Sequence, residues 1–247
     1  MSMYRCMLAL PATLLSLGWI LLPAHAGETA PASPVVVELF TSQGCSSCPP
    51  ADAYLGKLAG RPGILALGFH IDYWNYIGWT DPYSLPEAAQ RQRDYARRLG
   101  LHYVYTPQMV IDGRVEGVGS EPVKIEPLLH AATRAARTGP AVMLERHGQA
   151  GFHIHVGAGT APGAVTLWLV GFDHEHATKV LQGENEGETA RDYQIVRSMR
   201  AVGTWNGTPL DLDVAAGSAR GDHAALLLQI DGTGPIVAAT ALAEPAS

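Results

Sequence analysis

Two cysteines separated by two serines, Cys45-Ser46-Ser47-Cys48, lie between a short apolar run, Val35 to Phe40, and a pair of prolines, Pro49 and Pro50. The run is rich in β-branched residues and reads as a buried strand. Thr41 to Gly44 is turn chemistry, and prolines are tolerated in the first turn of a helix, where the amides lack intrahelical partners anyway. The dithiol is therefore expected at a helix N-terminus. There the unpaired amides and the positive dipole end stabilise a thiolate and make a nearby cysteine nucleophilic. The spacing by itself fits a redox pair, half of a zinc site or a small structural bridge. A zinc site would need a second C-x-x-C or an H-x-x-x-H element, and the sequence has neither. A bridge closing so short a loop adds little stability. Redox chemistry is the favoured reading, with the other two kept open.

The compartment bears on that choice. Residues 1–26 read as a signal peptide: Arg5 near the start, an apolar stretch from Met7 to Leu22, and Ala24-His25-Ala26 as a cleavage site. Pro11 and Gly18 interrupt the apolar stretch, which is short for a membrane span, so no span is expected after cleavage. Removal of the segment also removes Cys6 and leaves Cys45 and Cys48 as the only cysteines. A periplasmic or secreted product must bond them to each other or keep two free thiols. The full chain carries a formal charge of -6, and loss of Arg5 leaves 16 basic residues against 23 acidic ones. That balance offers no electrostatic footprint for nucleic acid or an anionic membrane. Residues 27–34, GETAPASP, form a small-residue leader expected to be disordered.

The elements that must position the dithiol follow in order. Ala51, Tyr54, Leu55 and Leu58 mark one face of the helix after Cys48, which stops near Gly60. Ile64 to Ile71 is a second buried strand. Asp72 to Tyr83, DYWNYIGWTDPY, is aromatic and irregular, and reads either as core aromatics over the sheet or as a wall beside the dithiol. Ser84-Leu85-Pro86-Glu87 has the form of a capping box, with Ser84 as N-cap. The helix that follows ends at Gly100, and its arginines 91, 93, 97 and 98 are expected on a solvated face. Gln108 to Asp112 is a third strand, Asp112-Gly113 a tight hairpin turn, and Val115 to Val118 a fourth strand. A last helix runs to about Arg137, with Pro127 placed in its first turn.

The resulting order, βαβαββα, is that of a thioredoxin-like α/β domain, assigned to residues 35–138. The segments ELFTSQGCSSCPPAD, FHIDYWNYIGWTDPYS and YTPQMVIDG closely resemble the exported bacterial proteins of domain of unknown function 1223, a family placed in the thioredoxin-like superfamily. The resemblance covers about Val35 to Arg137 most strongly. It implies that Cys45 is the attacking thiolate and Cys48 the resolving thiol. It also implies that Pro107, after Thr106, is the cis-proline facing the dithiol. Glu38 stands on the first strand, where many thioredoxins keep a buried acid that takes the proton of the resolving cysteine. Alternation puts Glu38 on the face of Val36 and Phe40, where desolvation would raise its pKa. Two departures stand out. Gly44 replaces the tryptophan usual before the first cysteine, so Trp74 and Trp79 are candidates to rebuild the substrate platform with Thr106. The dipeptide between the cysteines is Ser-Ser.

From Pro140 onward short alternating runs are separated by glycine-rich turns. Seven candidate strands, 142–146, 152–156, 165–172, 193–202, 210–214, 224–230 and 236–242, argue for an antiparallel β-sandwich domain over residues 139–247. Gly183 to Thr189, GENEGET, is expected to be an acidic exposed loop. His153 and His155 would share a strand face, as would His174 and His176 if that strand runs far enough. Such pairs can clamp copper or zinc, but the favoured reading is a solvent face without metal. No Ser/His/Asp nucleophile signature or phosphate cradle occurs, and no cofactor is expected. The combined expectation is an exported thiol-disulfide oxidoreductase whose partners are protein thiols or disulfides. The alternatives are a non-catalytic binding protein with a closed Cys45–Cys48 bridge, or a copper-handling protein.

Overall fold

The computed structural model describes residues 33–136, 138–148 and 151–242, so the expected signal peptide and most of the leader lie outside the described residues. The architecture is mixed α/β. One sheet has eight strands in the order β11-β10-β7-β8-β2-β1-β3-β4, and a second has three in the order β5-β6-β9. The first half contributes β1 (Val35–Thr41), α1 (Pro49–Ala59), β2 (Ile64–His70), α2 (Pro86–Leu99), β3 (Gln108–Ile111), β4 (Val115–Val118) and α3 (Pro122–Arg134). The second half contributes β5 (Val142–His147), β6 (Gly151–Val156), β7 (Val165–Lys179), β8 (Thr189–Trp205), β9 (Leu210–Ala215), β10 (His223–Ile230) and β11 (Ile236–Ala241). Among the described residues no helix is long and apolar enough to cross a membrane.

The seven strands expected in the second half all form, but their arrangement corrects the expectation of a self-contained sandwich. Only β5, β6 and β9 make the second sheet. It packs through Leu144, Phe152 and Ile154 onto Leu167, Leu169, Leu226 and Leu228 of the large sheet. The other four strands extend the sheet of the first half, through a parallel bridge between Gly68 of β2 and Ile195 of β8. Glycine is needed there, because a Cβ on Gly68 would lie 2.7 Å from the Tyr193 carbonyl oxygen. Gly56 on α1 plays a similar part, leaving room for the Tyr193 ring, which a Cβ would meet at 2.9 Å.

The large sheet curls. The amide of Ile236 at the start of β11 donates to the Asp112 carbonyl at 2.8 Å, next to β3. The Asp112-Gly113 turn forms as expected, with φ of 49° and 63°, the left-handed pair that a two-residue hairpin requires. Inside the curl α2 covers a core of Val36, Phe40, Phe69, Val110, Val170, Val196 and Leu227. On the other side of β1, α1 and α3 cover Val35, Val37, Leu39, Met109 and Ile111.

Three local expectations are corrected. Leu85, not Ser84, is the residue before α2, and no side-chain cap forms. The Ser84 hydroxyl instead donates to the Asp81 carbonyl at 2.8 Å. Arg91 is buried rather than solvated. Helix α3 begins at Pro122 and runs through Pro127. The carbonyl that loses its partner there belongs to Val123, an exposed residue, where water can replace the bond.

Candidate active site: a closed dithiol above buried acids and a histidine

The chain leaves β1 at Thr41 and turns twice, with Cys45 N donating to Ser42 O at 3.1 Å and Cys48 N to Cys45 O at 3.2 Å. Cys48 is the residue before α1, and Pro49 and Pro50 fill the first turn as expected. Cys45 and Cys48 form a disulfide with their Cα atoms 5.4 Å apart. The Ser47 hydroxyl lies 3.4 Å from the Cys45 sulfur and is the donor of that contact. Both cysteines are closed off from solvent, Cys45 at 1 % and Cys48 at 0 % exposure. The dithiol stands at the helix N-terminus, as expected, but under cover.

Most of the other site residues expected from the sequence gather around this turn. Trp74 donates its indole N–H to the Thr106 hydroxyl at 2.8 Å, and Trp79 donates to the Gln43 side-chain oxygen at 3.0 Å. A side chain at position 44 would meet Trp74 Cβ at 3.3 Å and the Ile77 methyl at 3.4 Å, so Trp74 fills the place where a preceding side chain would stand. The Thr106–Pro107 bond is cis. Thr106 and Pro107 line a groove of about 620 Å³ with Ser47, Tyr103, Tyr105 and Glu116.

Glu38 is not brought to the cysteines. It points into the curl of the sheet, on the face opposite α1. Its carboxylate accepts from Arg91 Nε at 2.7 Å and Arg91 Nη2 at 3.1 Å, and from the Tyr95 hydroxyl. Gln229 of β10 closes the network, accepting from Arg91 Nη2 at 2.9 Å and donating to the Tyr95 oxygen at 2.8 Å. The alternation argument placed Glu38 on the correct face, with Val36 and Phe40, but α1 packs against the other one. The Glu38 carboxylate joins the halves of the chain, and its partners are Arg91 and Tyr95 rather than a cysteine.

A different acid lies behind the disulfide, one that sequence reasoning missed. Asp52 follows Cys48 by one helical turn on the buried side of α1, its amide donating to the Cys48 carbonyl at 3.1 Å. Burial pushes its carboxyl up to about 7; the His70 cation opposes the rise and Asp192 adds to it. The Thr41 hydroxyl is close enough to favour the ionised form of Asp52, yet it makes no bond of ordinary geometry and is buried without a partner. His70, at the end of β2, donates from Nδ1 to Asp81 at 2.7 Å, and its Nε2 stands 4.0 Å from Asp192 of β8. Burial disfavours the His70 cation, but Asp81 and Asp192 outweigh it and raise the imidazole to about 9. Burial likewise opposes charge on Asp81, and His70 with the amides of Gln43 and Tyr83 holds it below the ordinary range. Asp192 is raised by burial. Gln43 links this cluster to the cysteine turn, its amide donating to Asp81 at 2.8 Å and its side chain to Asp192 at 2.6 Å. The available signals were a histidine inside the apolar run Ile64 to Ile71 and an acid four residues after Cys48.

The second half also reaches the dithiol. The hairpin of β7 and β8 extends past the sheet, and its tip carries the GENEGET segment. There Asn185 Nδ2 donates to the carbonyls of Gln43 at 2.8 Å and Cys45 at 3.1 Å, and Glu184 accepts from the Ser46 amide at 3.2 Å. The histidine pairs lie elsewhere. His153 and His155 bond Asp213 and Asp211 across the second sheet, each at 2.8 Å. β7 runs far enough for His174 and His176 to share a face; His176 bonds Asp173 at 2.9 Å and stacks on Tyr83. Among the described residues no group of three or more His, Cys, Asp or Glu is placed to hold a metal ion.

Fold and site together describe a mixed α/β protein with a closed dithiol at a helix end. The chain belongs to the family described as protein of unknown function (DUF1223), whose model matches residues 36–229. The crystal structure of protein AGR_C_4864 from Agrobacterium tumefaciens superposes with a TM-score of 0.76 at 33 % identity, over 87 % of this chain and 96 % of that one. HBP35 of Porphyromonas gingivalis superposes with a TM-score of 0.60 at 13 % identity, over 85 % of this chain and 74 % of that one, a likeness of fold alone. No curated protein matches.

Proposed function

We propose that this chain is an exported thiol-disulfide oxidoreductase built on a thioredoxin-like scaffold and working in the periplasm or outside the cell. The observation that carries the reading is the Cys45–Cys48 disulfide at the start of α1, with Asp52 buried one turn behind it. The groove beside Ser47 and Pro107 adds room for a partner chain. A disulfide in a chain with no other cysteine beyond Cys6 fits an oxidising compartment.

In the direction in which the protein is the oxidant, a partner thiolate attacks the Cys45 sulfur. The new bond joins the partner to Cys45, the Cys45–Cys48 bond breaks, and its electron pair leaves on Cys48. Cys48, buried, takes a proton from the Asp52 carboxyl, which near neutrality still holds one in part of the molecules. A second partner thiolate then attacks the partner sulfur and releases Cys45 as a thiolate, favoured by the positive dipole end of α1 and by the Ser47 hydroxyl 3.4 Å away, since Pro49 and Pro50 have no N–H to offer. The partner loses two electrons and the dithiol gains them; the reverse sequence reduces a partner disulfide. In place of Glu38, Asp52 is the proton acceptor of that reverse step.

The test is Cys48→Ser, which leaves Cys45 free to form a mixed disulfide that nothing resolves. Covalent adducts with exported proteins, released by reductant, are the expected result; their absence across a range of thiol buffers overturns the assignment. The burial of both sulfurs favours a second reading, a binding protein on the same scaffold with a permanent bridge. A permanent bridge would stay closed until potentials below about -300 mV, whereas a catalytic one exchanges with glutathione at milder ones.

A further inference from the structure

A nucleophile must reach the Cys45 sulfur along the line of the disulfide, yet Cys45 is 1 % exposed. Three hydrogen bonds from a segment about 140 residues away in the chain span the backbone of the turn that carries it. Asn185 Nδ2 bridges the carbonyls of Gln43 and Cys45, and Glu184 takes the Ser46 amide. The segment is a discrete hairpin tip. The Val180 amide donates to the Glu188 carbonyl and the Gly187 amide to the Val180 carbonyl, both at 3.0 Å, closing its base. Gly183 and Gly187, with φ of 86° and 88°, give it a backbone that other residues rarely adopt. On its inner side Gly183 rests against Trp79 and Ile77, so the tip is seated on the aromatic loop as well as on the cysteine turn. On its outer side Leu181 is exposed, and so are Glu184, Glu186, Gly187 and Glu188.

We infer that Asn185 and Glu184 are positioning residues that control attack on Cys45, the tip holding the sulfur out of reach until it lifts from residues 43–46. The inference deepens the oxidoreductase assignment and rests on it for the identity of the natural attacker. The contacts favour this role because they are few and peripheral. Each is a hydrogen bond to backbone near the surface, of the kind that opens locally at small cost without disturbing the sheet below. An arriving polypeptide can offer the same backbone groups of residues 43–46 its own donors and acceptors in exchange. Selectivity follows from this geometry: a partner that replaces the tip is served, and a small thiol that cannot is served slowly.

The experiment measures the rate at which dithiothreitol reduces the disulfide in the full mature chain, by quenching with a thiol label, for the parent, Asn185→Ala and the double variant Glu184→Ala/Asn185→Ala. Ten-fold or greater acceleration in Asn185→Ala, and more in the double variant, is expected, with the equilibrium potential moved much less than the rate. A merely structural tip would leave the rate unchanged. Equal rates in all three proteins, each shown folded by its thermal transition, overturn the inference. If a variant does not fold, hydrogen exchange on the parent decides: the amide of Ser46 is expected to exchange far faster than those of β1, and equal protection refutes a lifting tip. The Cys48→Ser trap separates the two levels. Acceleration without adducts leaves the cover and removes the oxidoreductase assignment, whereas adducts without acceleration do the reverse.

Discussion

Replacing Asp52 by asparagine tests the buried acid through its linkage to folding. In the fold the Asp52 carboxyl is raised from 3.8 to about 7 by burial. An acid whose folded pKa lies above its unfolded one binds its proton more tightly in the native state. Its contribution to stability is therefore complete below the unfolded value and is lost as pH rises through the folded one. A shift of about three units at about 1.4 kcal/mol each puts the loss near 4 kcal/mol, spread between pH 3.8 and 7. The asparagine side chain keeps the shape and never ionises. The oxidised Asp52→Asn protein is expected to be more stable than the parent by roughly 2 to 4 kcal/mol at pH 8 and to match it within about 1 kcal/mol near pH 4.

Urea unfolding of the oxidised protein at several pH values supplies the difference directly. His70 provides an internal control. Its imidazole is raised to about 9 in the fold from 6.5, so its contribution is complete below pH 6.5 and fades toward pH 9. Both proteins should lose stability across that upper window, and Asp192, also raised by burial, adds a loss common to both at lower pH, so the parent should lose more than the variant between pH 4 and 7. A stability gap that is the same at pH 4 and pH 8 refutes the claim that Asp52 is strained by burial. The same variant should slow reduction of the disulfide near pH 6, where the parent carboxyl can still hand a proton to Cys48, and have less effect above pH 8.

Glu38→Ala leaves Arg91 buried without its counter-ion and should cost about 3 to 5 kcal/mol in urea unfolding. The rate of disulfide reduction in the folded fraction should stay within about two-fold of the parent, because the two sites share no partner; a large loss of rate would return Glu38 to the chemistry. Gly68→Ala drives a methyl group to within 2.7 Å of the Tyr193 carbonyl oxygen. It should destabilise the protein by about 1 to 3 kcal/mol, read as a fall in the thermal midpoint, and an unchanged midpoint would mean that β8 sits further from β2 than described.

How much of this was legible in the sequence varies by residue. The dithiol, its strand and its helix were readable because their signals are local: β-branched residues before the turn, two prolines after it. So were the strands of the second half, each bounded by its own glycines. What local pattern lacks is the identity of the neighbour. Glu38 was assigned its face correctly, yet only the packing of α1 and α2 decides what that face meets. Gln43 finds Asp192 at a separation of 149 residues, and Gln43 and Cys45 find Asn185 at 142 and 140. Gly68, a glycine within an apolar strand, was a readable sign that another backbone comes close. It marks the junction that turns two apparent halves into one sheet.

That junction has a consequence for the first half alone. Cut after residue 138, the chain keeps β1 to β4 and the three helices but loses β8 beside β2, Gln229 beside Arg91 and Asp192 beside Gln43. Phe69, Val36 and Phe40 lose Val170, Val196 and Leu227 from their shared core. Each fully buried aliphatic or aromatic side chain represents about 1.5 to 3 kcal/mol of burial, so uncovering even a few of them removes as much as the roughly 5 to 15 kcal/mol that a whole domain commonly has in hand. Residues 35–138 are therefore expected to give no cooperative thermal transition, even with the disulfide closed. A sharp transition in that fragment would show that the first half carries its own core and that the later strands are an addition to it.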